Sequence, residues 1–447
     1  VRGLSARGIR RAVAASLAVT LSWSAPPALA RRDEPSFTAG AASVEVALPR
    51  GTPLGGYGGF PRRAWLPDLL GRHPNAFWFR PAVGVHDPIK VRSLLLESGG
   101  VRLLWLAVDL VGMDASLLAE LRQQLARQGL DYSAVIVSAS HTHSGPGAYV
   151  DSALFGFLAV DRLAPAVRER LLESLAEAAR RAEASKVRAR VASGRTEVRD
   201  IARSRVQGTL DPELGVVKVV GADGRPVAAL WNYAIHGTAL GLDNFLLSGD
   251  LMGEASARIE RAIGAPALFV NGAVGDVSPG PRGWTGVQTA GQALAAGALR
   301  AWNHASAEPG GLQIATERVP LPPPSVALRN CLSGWAPAWM TIGLGGALPS
   351  STEVIAVRIG RTGWVAIPGE LETRLGLEIK ARGKERLGHV FIAGVSNDYL
   401  GYFLVPAHYR RPSYIACASL YGERGGEIMR EAAIAGLTRL SAGDKRR

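Results

Sequence analysis

Val91-Arg92-Ser93-Leu94-Leu95-Leu96-Glu97-Ser98-Gly99-Gly100-Val101-Arg102-Leu103-Leu104-Trp105-Leu106-Ala107-Val108-Asp109 reads as two apolar strands on either side of a tight turn. Ser98-Gly99-Gly100 supplies turn residues between them. Beyond Asp109 the period changes. Leu117, Leu118, Leu121 and Leu125 share one face of a helix expected from about Asp114 to Gln128, and Gly129 stops it. A third apolar strand, Ala134–Ser138, then empties into Ser140-His141-Thr142-His143-Ser144-Gly145-Pro146-Gly147.

The same order returns twice. Gly215–Val220, a turn at Ala222-Asp223-Gly224-Arg225 and Val227–Ile235 lead to His236, then to a helix near Leu251–Ile263 and a strand, Ala267–Asn271. Its loop is Gly275-Asp276-Val277-Ser278-Pro279-Gly280. Glu353–Ile359, a turn at Arg361-Thr362-Gly363 and Trp364–Ile367 reach Pro368-Gly369-Glu370; a helix ends near Gly383, and His389–Gly394 runs into Ser396-Asn397-Asp398-Tyr399. Hairpins and strand–helix–strand units are common, so likeness alone proves little. The polar residues say more, because each stretch places them after its second and third strands. Sites in open α/β sheets form beyond strand C-termini. The expectation is an α/β fold of mixed β-sheets flanked by helices, built from three repeated β-hairpin–helix–strand units with one shared site.

Helices are also expected over Arg162–Lys186, Gly286–His304 and Glu427–Leu440, and Val319-Pro320-Leu321-Pro322-Pro323-Pro324 reads as a stiff connector. The apolar, glycine-rich stretch from Cys331 to Pro349 reads either as a greasy lip beside the site or as an ordinarily packed loop.

The bulk numbers fit this picture. The chain has 447 residues, 47% hydrophobic and 20% charged, which is globular material. Arg2, Arg7, Arg10 and Arg11, an apolar run from Ala12 to Trp23 and Ala28-Leu29-Ala30 have the order of a secretory signal peptide over residues 1–30. That run is too short to span a bilayer. Export makes the chain secreted or periplasmic, with one catalytic domain over residues 31–440 and a basic tail over 441–447. Removing the four arginines of the leader lowers the formal charge of +13 by four and leaves the chain basic. A positive surface suits an anionic membrane surface or envelope polymers, and no motif points to nucleic acid. Cys331 and Cys417 are in neither metal nor redox spacing, and an exported chain can pair them.

His141 and His143 alternate along an extended loop, so both can face one site. With His236 and Glu370 they offer the nitrogen and oxygen donors of a catalytic zinc site. Each signal alone is weak: a buried histidine is usually satisfied by backbone, an acid after a glycine suits a helix start, and Asp276 with Ser278 can close a turn.

Together these blocks resemble the neutral/alkaline (non-lysosomal) ceramidases. Ser140 to Gly147 is similar to that family's most recognisable block, and Gly275-Asp276-Val277-Ser278-Pro279 to the loop of its essential serine. Asn232-Tyr233-Ala234-Ile235-His236-Gly237-Thr238, Ser248-Gly249-Asp250, Pro368-Gly369-Glu370 and Ser396-Asn397-Asp398-Tyr399 match in order, and Tyr402, Tyr409, Tyr414 and Tyr421-Gly422 fall at its tyrosine spacings. The resemblance covers roughly Asp87 to Gly422. It departs at Gly280, usually asparagine, and at Ile415, where an acid is expected.

The resemblance implies a zinc ion held by His141, His236, Glu370 and Tyr399, with Tyr402 the competitor for the fourth place. Ser278 is the implied catalytic serine, and Arg203, Asp276 and Tyr402 are assigned to substrate. The expected reaction is amide hydrolysis of a ceramide-like or other N-acyl lipid. His143 would pass a proton to the leaving amine and Tyr409 would meet charge on the carbonyl oxygen. The alternatives are another envelope N-acyl amide or ester, or a non-catalytic lipid- or envelope-binding protein on the same fold.

Overall fold

Two β-sheets packed face to face carry the fold in the computed structural model, which describes residues 37–442. Residues 1–30, read as the export segment, lie outside the described residues, as does residue 443 onward of the tail, whose first two positions instead end the last helix. The strands of the first sheet, in chain order, are β1 (Phe37–Glu45), β2 (Lys90–Ser98), β3 (Val101–Val108), β4 (Ala134–Ala139), β5 (Val187–Glu197), β6 (Glu213–Gly221), β7 (Pro226–Tyr233) and β8 (Ala267–Asn271). They lie in the order β8-β7-β6-β5-β1-β2-β3-β4, with Ser306–Ala307 added against β5. The second sheet is β9 (Leu312–Pro320), β10 (Ser351–Ile359), β11 (Thr362–Ala366) and β12 (His389–Ala393), paired in that order.

Local pairing follows the apolar pattern. β2 and β3 form an antiparallel hairpin; helix α1 (Ala115–Arg127) then returns the chain to β4, parallel to β3. Asp114 caps α1 by accepting the Ser116 amide (2.8 Å). After α2 (Pro165–Ala184), β6 and β7 pair antiparallel, α3 (Asp250–Ile263) follows, and β8 runs parallel to β7. After α4 (Gly283–Asn303), β10 and β11 pair antiparallel, and β12, beyond α5 (Thr373–Lys384), lies parallel to β11. The expected Pro-rich connector is shorter than its composition suggests. β9 runs through Pro320, which an edge strand tolerates because its outward N–H has no ladder partner to lose.

Between the sheets lies an apolar layer that includes Leu94, Leu103, Trp105, Val357, Trp364 and Phe391. The Trp105 and Trp364 rings meet edge to face at 5.2 Å. At Gly215 an added Cβ would stand 2.2 Å from the Phe391 ring, so that residue type lets the sheets close. Helices α1 and α2 cover one part of the first sheet's outer face, and α3 and α4 cover another. Helix α5 and the C-terminal α6 (Gly425–Ala442) cover the second sheet.

The first sheet bends until its edge strands β4 and β8 approach each other, with β12 of the second sheet beside them. Buried polar side chains join the three. Asn232 donates to Val270 O and Ile392 O (both 2.8 Å), and the Ser138 and Ser396 hydroxyls are 2.7 Å apart. The C-terminal ends of β4, β8 and β12 therefore open at one place. Among the described residues no helix is long and apolar enough to cross a membrane.

Candidate active site

His141 and His143 sit on the loop after β4, and His236 follows β7. Asn271, at the end of β8, ties these loops together. Its amide nitrogen donates to Ser140 O (3.1 Å) and Ile235 O (2.9 Å), and its oxygen accepts the Ile235 and Gly272 amides. Two short ribbons place the remaining groups. Val277–Pro279 pairs with Ala202–Ser204, and Glu370–Leu371 pairs in parallel with Tyr402–Phe403. His141, Val395 and Asn397 have φ of 66°, 51° and 67°, a conformation costly for non-glycine residues, above all β-branched Val395. Backbone bonds hold all three there, from His141 N to Leu110 O, Val395 N to Gly369 O and Asn397 N to Val137 O.

The ligand-capable atoms of His141, His143 and His236 lie within 4.8 Å of one another, and all three residues are buried. The imidazole orientations of His141 and His236 are set from behind. Nδ1 of His141 bonds Val111 O, and Nδ1 of His236 bonds Val277 O (2.7 Å). A carbonyl only accepts, so Nδ1 carries the proton and Nε2 presents a lone pair. Those lone pairs face Glu370, at 3.2 Å from Oε1 for His141 and 2.9 Å from Oε2 for His236. Acceptor facing acceptor in a buried site is repulsive unless a cation stands between them. The residues fit a metal on this ground. The backbone carbonyl behind each imidazole is also the outer support that metal-bound histidines use.

Electrostatics agree with a neutral imidazole and an ionised carboxylate. Burial, with the Arg205 charge, pushes His236 down to about 3. Burial and the two other histidines push His143 well below its ordinary value. Burial alone would raise Glu370, but His141 and His236 outweigh it and hold the carboxyl well below the usual range. Tyr399 donates to Glu370 Oε1 (2.6 Å), and burial together with that carboxylate pushes its phenol far up.

His143 has neither ring nitrogen bonded. It is held by its surroundings: the Tyr57 ring lies 4.7 Å from its own, and buried Arg62 donates to His143 O (3.0 Å). Gly56, at φ 106°, approaches so closely that a Cβ there would stand 2.7 Å from the ring. This 55–62 segment escaped the sequence reading.

The serine loop revises the expected assignments. Ser278 accepts from Arg205 Nε (2.7 Å), and Arg205 Nη1 donates to the Tyr402 hydroxyl (3.2 Å). Arg203, expected at substrate, is exposed and pairs with Ser278 only through its backbone. The arginine beside the serine is two residues further on. Asp276, also assigned to substrate, is buried and accepts from Thr373 N (2.8 Å) and Thr373 Oγ1 (2.7 Å), so it fixes the start of α5. Tyr402 is buried beside Glu370 and Arg205. Tyr409 was expected to meet charge on the carbonyl oxygen. It packs near Tyr402 and Ile415, and the carboxylate acting on its phenol is Glu423. Tyr414, 6.0 Å from Tyr402 ring to ring, instead feels the charges of Glu370 and Arg205. Cys331 and Cys417 form a disulfide (Cα–Cα 4.7 Å), which the sequence left open.

Residues 79–295 match the model of the N-terminal part of neutral/alkaline non-lysosomal ceramidases. Neutral ceramidase of Pseudomonas aeruginosa is 26% identical over 219 residues, 44% of this chain and 32% of its own length. Neutral ceramidase of Mycobacterium tuberculosis is 25% identical over 228 residues, 44% of this chain and 36% of its own. The match thus spans about a third of these curated relatives. The crystal structure of the Pseudomonas aeruginosa enzyme superposes with a TM-score of 0.79 over 92% of this chain and 75% of that one, at 19% identity. By its motifs and its relatives the chain is similar to the neutral/alkaline non-lysosomal ceramidases over residues 79–295, and its fold is that of the Pseudomonas aeruginosa enzyme.

Proposed function

We propose that the chain, as a single catalytic domain over residues 31–440, is an exported zinc-dependent amidohydrolase cleaving the N-acyl bond of ceramide-like lipids. The observation that carries this is the pair of imidazole lone pairs aimed at one buried carboxylate. His141, His236 and Glu370 would hold the ion, with Tyr399 as the fourth donor. Zinc in such a site supplies a Lewis acid and lets water ionise near neutral pH. The substrate class rests on the relatives, which are named neutral ceramidases, and on the fold match to a ceramidase solved in complex with C2. Export is supported by the Cys331–Cys417 disulfide, which persists in oxidising compartments.

The chain's own groups divide the work. His143, held neutral and with both ring nitrogens free of protein partners, accepts a proton from attacking water and returns it to the departing amine. Ser278 takes a hydrogen bond from Arg205, which leaves its own O–H to orient a substrate oxygen. The guanidinium, half-buried beside the Tyr402 and Tyr414 phenols, favours negative charge developing on the carbonyl oxygen.

The test is zinc content and turnover of purified full chain on a fluorogenic N-acyl sphingosine, with the matching ester in parallel. One zinc per chain with amide cleavage is expected. Ester cleavage alone would move the substrate class, and no turnover with zinc bound would favour a lipid-binding protein. N-terminal sequencing of protein from the native envelope should begin at Arg31 or a neighbour; an intact leader would overturn export.

A further inference from the structure

Among the described residues, the large apolar side chains left exposed are concentrated with one exception, Val187, in two groups of segments bordering the site. The first group is residues 57–85 with Phe157 and Leu158; Trp65, Leu66, Leu69 and Leu70 are 75–80% exposed there. The second is residues 329–349 with Tyr414, where Trp335 is 90% and Trp339 78% exposed. Scattered single apolar residues need no explanation, but two tryptophan-tipped loops beside one site do.

Both loops are fastened at their bases while their tips stand free. Tyr57 and Arg62 fix the first to His143. The second is tied through the Cys331–Cys417 disulfide to the turn Tyr414–Cys417, whose Tyr414 lies against Tyr402, and through Asn330, which donates to Tyr409 O (3.0 Å). The fastening keeps the apolar tips at a set position relative to the catalytic groups.

Charge selects what covers them. Residues 57–85, 329–349 and 405–414 together hold seven arginines and one acid, Asp68, with no lysine. Arg72, Arg80, Arg329 and Arg411 are exposed, as is Arg410, which pairs with Glu423. Tryptophan and arginine together suit the boundary between headgroups and acyl chains, where the indole takes the apolar side and the guanidinium meets lipid phosphate.

We propose that these two loops dock the protein on an anionic lipid bilayer, with the site mouth between them against the lipid. This deepens the lipid-hydrolase reading and rests on it for purpose, but the binding is measurable without turnover. Full chain would be sedimented with vesicles of phosphatidylcholine alone and of phosphatidylcholine mixed with phosphatidylglycerol, while indole emission is recorded. The expected result is preferential binding to the anionic vesicles, weakened by salt, with a blue shift. Trp335→Ser with Trp339→Ser, and separately Trp65→Ser with Leu69→Ser, should each weaken binding by about tenfold or more, since each pair removes two apolar side chains from the interface. These exposed positions bear on neither folding nor hydrolysis of a water-soluble short-chain substrate, which should continue unchanged. Failure to bind the anionic vesicles, wild-type binding by both double variants, or a stable dimer that covers the tips and ignores vesicles would each overturn the proposal. An active chain indifferent to vesicles sinks docking alone; an inactive chain that binds through these loops sinks the hydrolase reading alone.

Discussion

The two histidines that face Glu370 and the serine–arginine–tyrosine group beside them are held in different ways. His141 and His236 are each anchored by a backbone carbonyl, and Asn271 joins their loops. Ser278, Arg205, Tyr402, Tyr399 and Glu370 are linked mainly side chain to side chain. Backbone anchoring keeps a ligand in place whatever its neighbours do. A side-chain chain is cooperative, and removing one member releases the next. The first arrangement suits holding an ion at fixed positions; the second suits groups that respond to substrate.

The contrast is broken most severely at its junction. Glu370 belongs to both arrangements, accepting from Tyr399 and facing both imidazoles. Glu370→Ala should therefore remove metal and turnover together, by on the order of a thousandfold or more in rate. His236→Ala should do the same. Elemental analysis beside turnover decides it: a full complement of zinc in either variant would remove that residue from the ligand set.

Within the side-chain group the losses should be smaller and should not add. Ser278→Ala and Arg205→Met are each expected to keep zinc and lose about a hundredfold in rate, with the double variant little worse than either. Arg203→Ala, at the exposed neighbour, should leave turnover within about twofold. Additive losses for Ser278 and Arg205 would mean that they act separately. On the backbone-anchored side, Asn271→Ala should cost stability, roughly 2 kcal/mol, because it strands the Ile235 amide and two carbonyls in a buried site. Denaturant unfolding of the metal-loaded and metal-stripped chain measures that loss, and an unchanged midpoint in both would show that the loops need no such tie.

Much of this was legible where side chains repeat with a period. The leucines of α1 and the long apolar runs of β3, β7 and β10 announce themselves. β1 does not. Its Ala39, Gly40, Ala41, Ala42 and Ser43 are small because α2 packs directly on the strand: a Cβ on Gly40 would fall 2.0 Å from Ala182 O. Close packing had erased the alternation that identifies a strand. The site divides similarly. His141, His236, Glu370 and Ser278 stand at the ends of readable strands. Arg205 follows a three-residue ribbon that has no pattern of its own, and Tyr57 and Arg62 lie in a long segment nearly without regular structure. Their placement depends on partners 73 and 81 residues away, which linear spacing does not reveal.

The smallest expected effect separates two tyrosines. Tyrosine spacing suggested Tyr409 as the group that meets charge on the carbonyl oxygen, yet after burial the carboxylate acting on its phenol is Glu423 rather than Glu370. Tyr414 is 71% exposed, yet its ring lies 6.0 Å from that of Tyr402, the phenol that Arg205 donates to. A phenol that reaches the reacting oxygen only when substrate covers it would gain strength as water is excluded. Tyr414→Phe should then lower turnover about tenfold with KM little changed, the pattern of an interaction made in the transition state. Tyr409→Phe should remain within about twofold of the parent. Steady-state kinetics on one soluble N-acyl substrate compares them directly. If the larger loss falls on Tyr409, the 405–414 segment must rearrange on binding, and the tyrosine spacing was the better guide; if it falls on Tyr414, the lip carrying the disulfide also carries part of the chemistry.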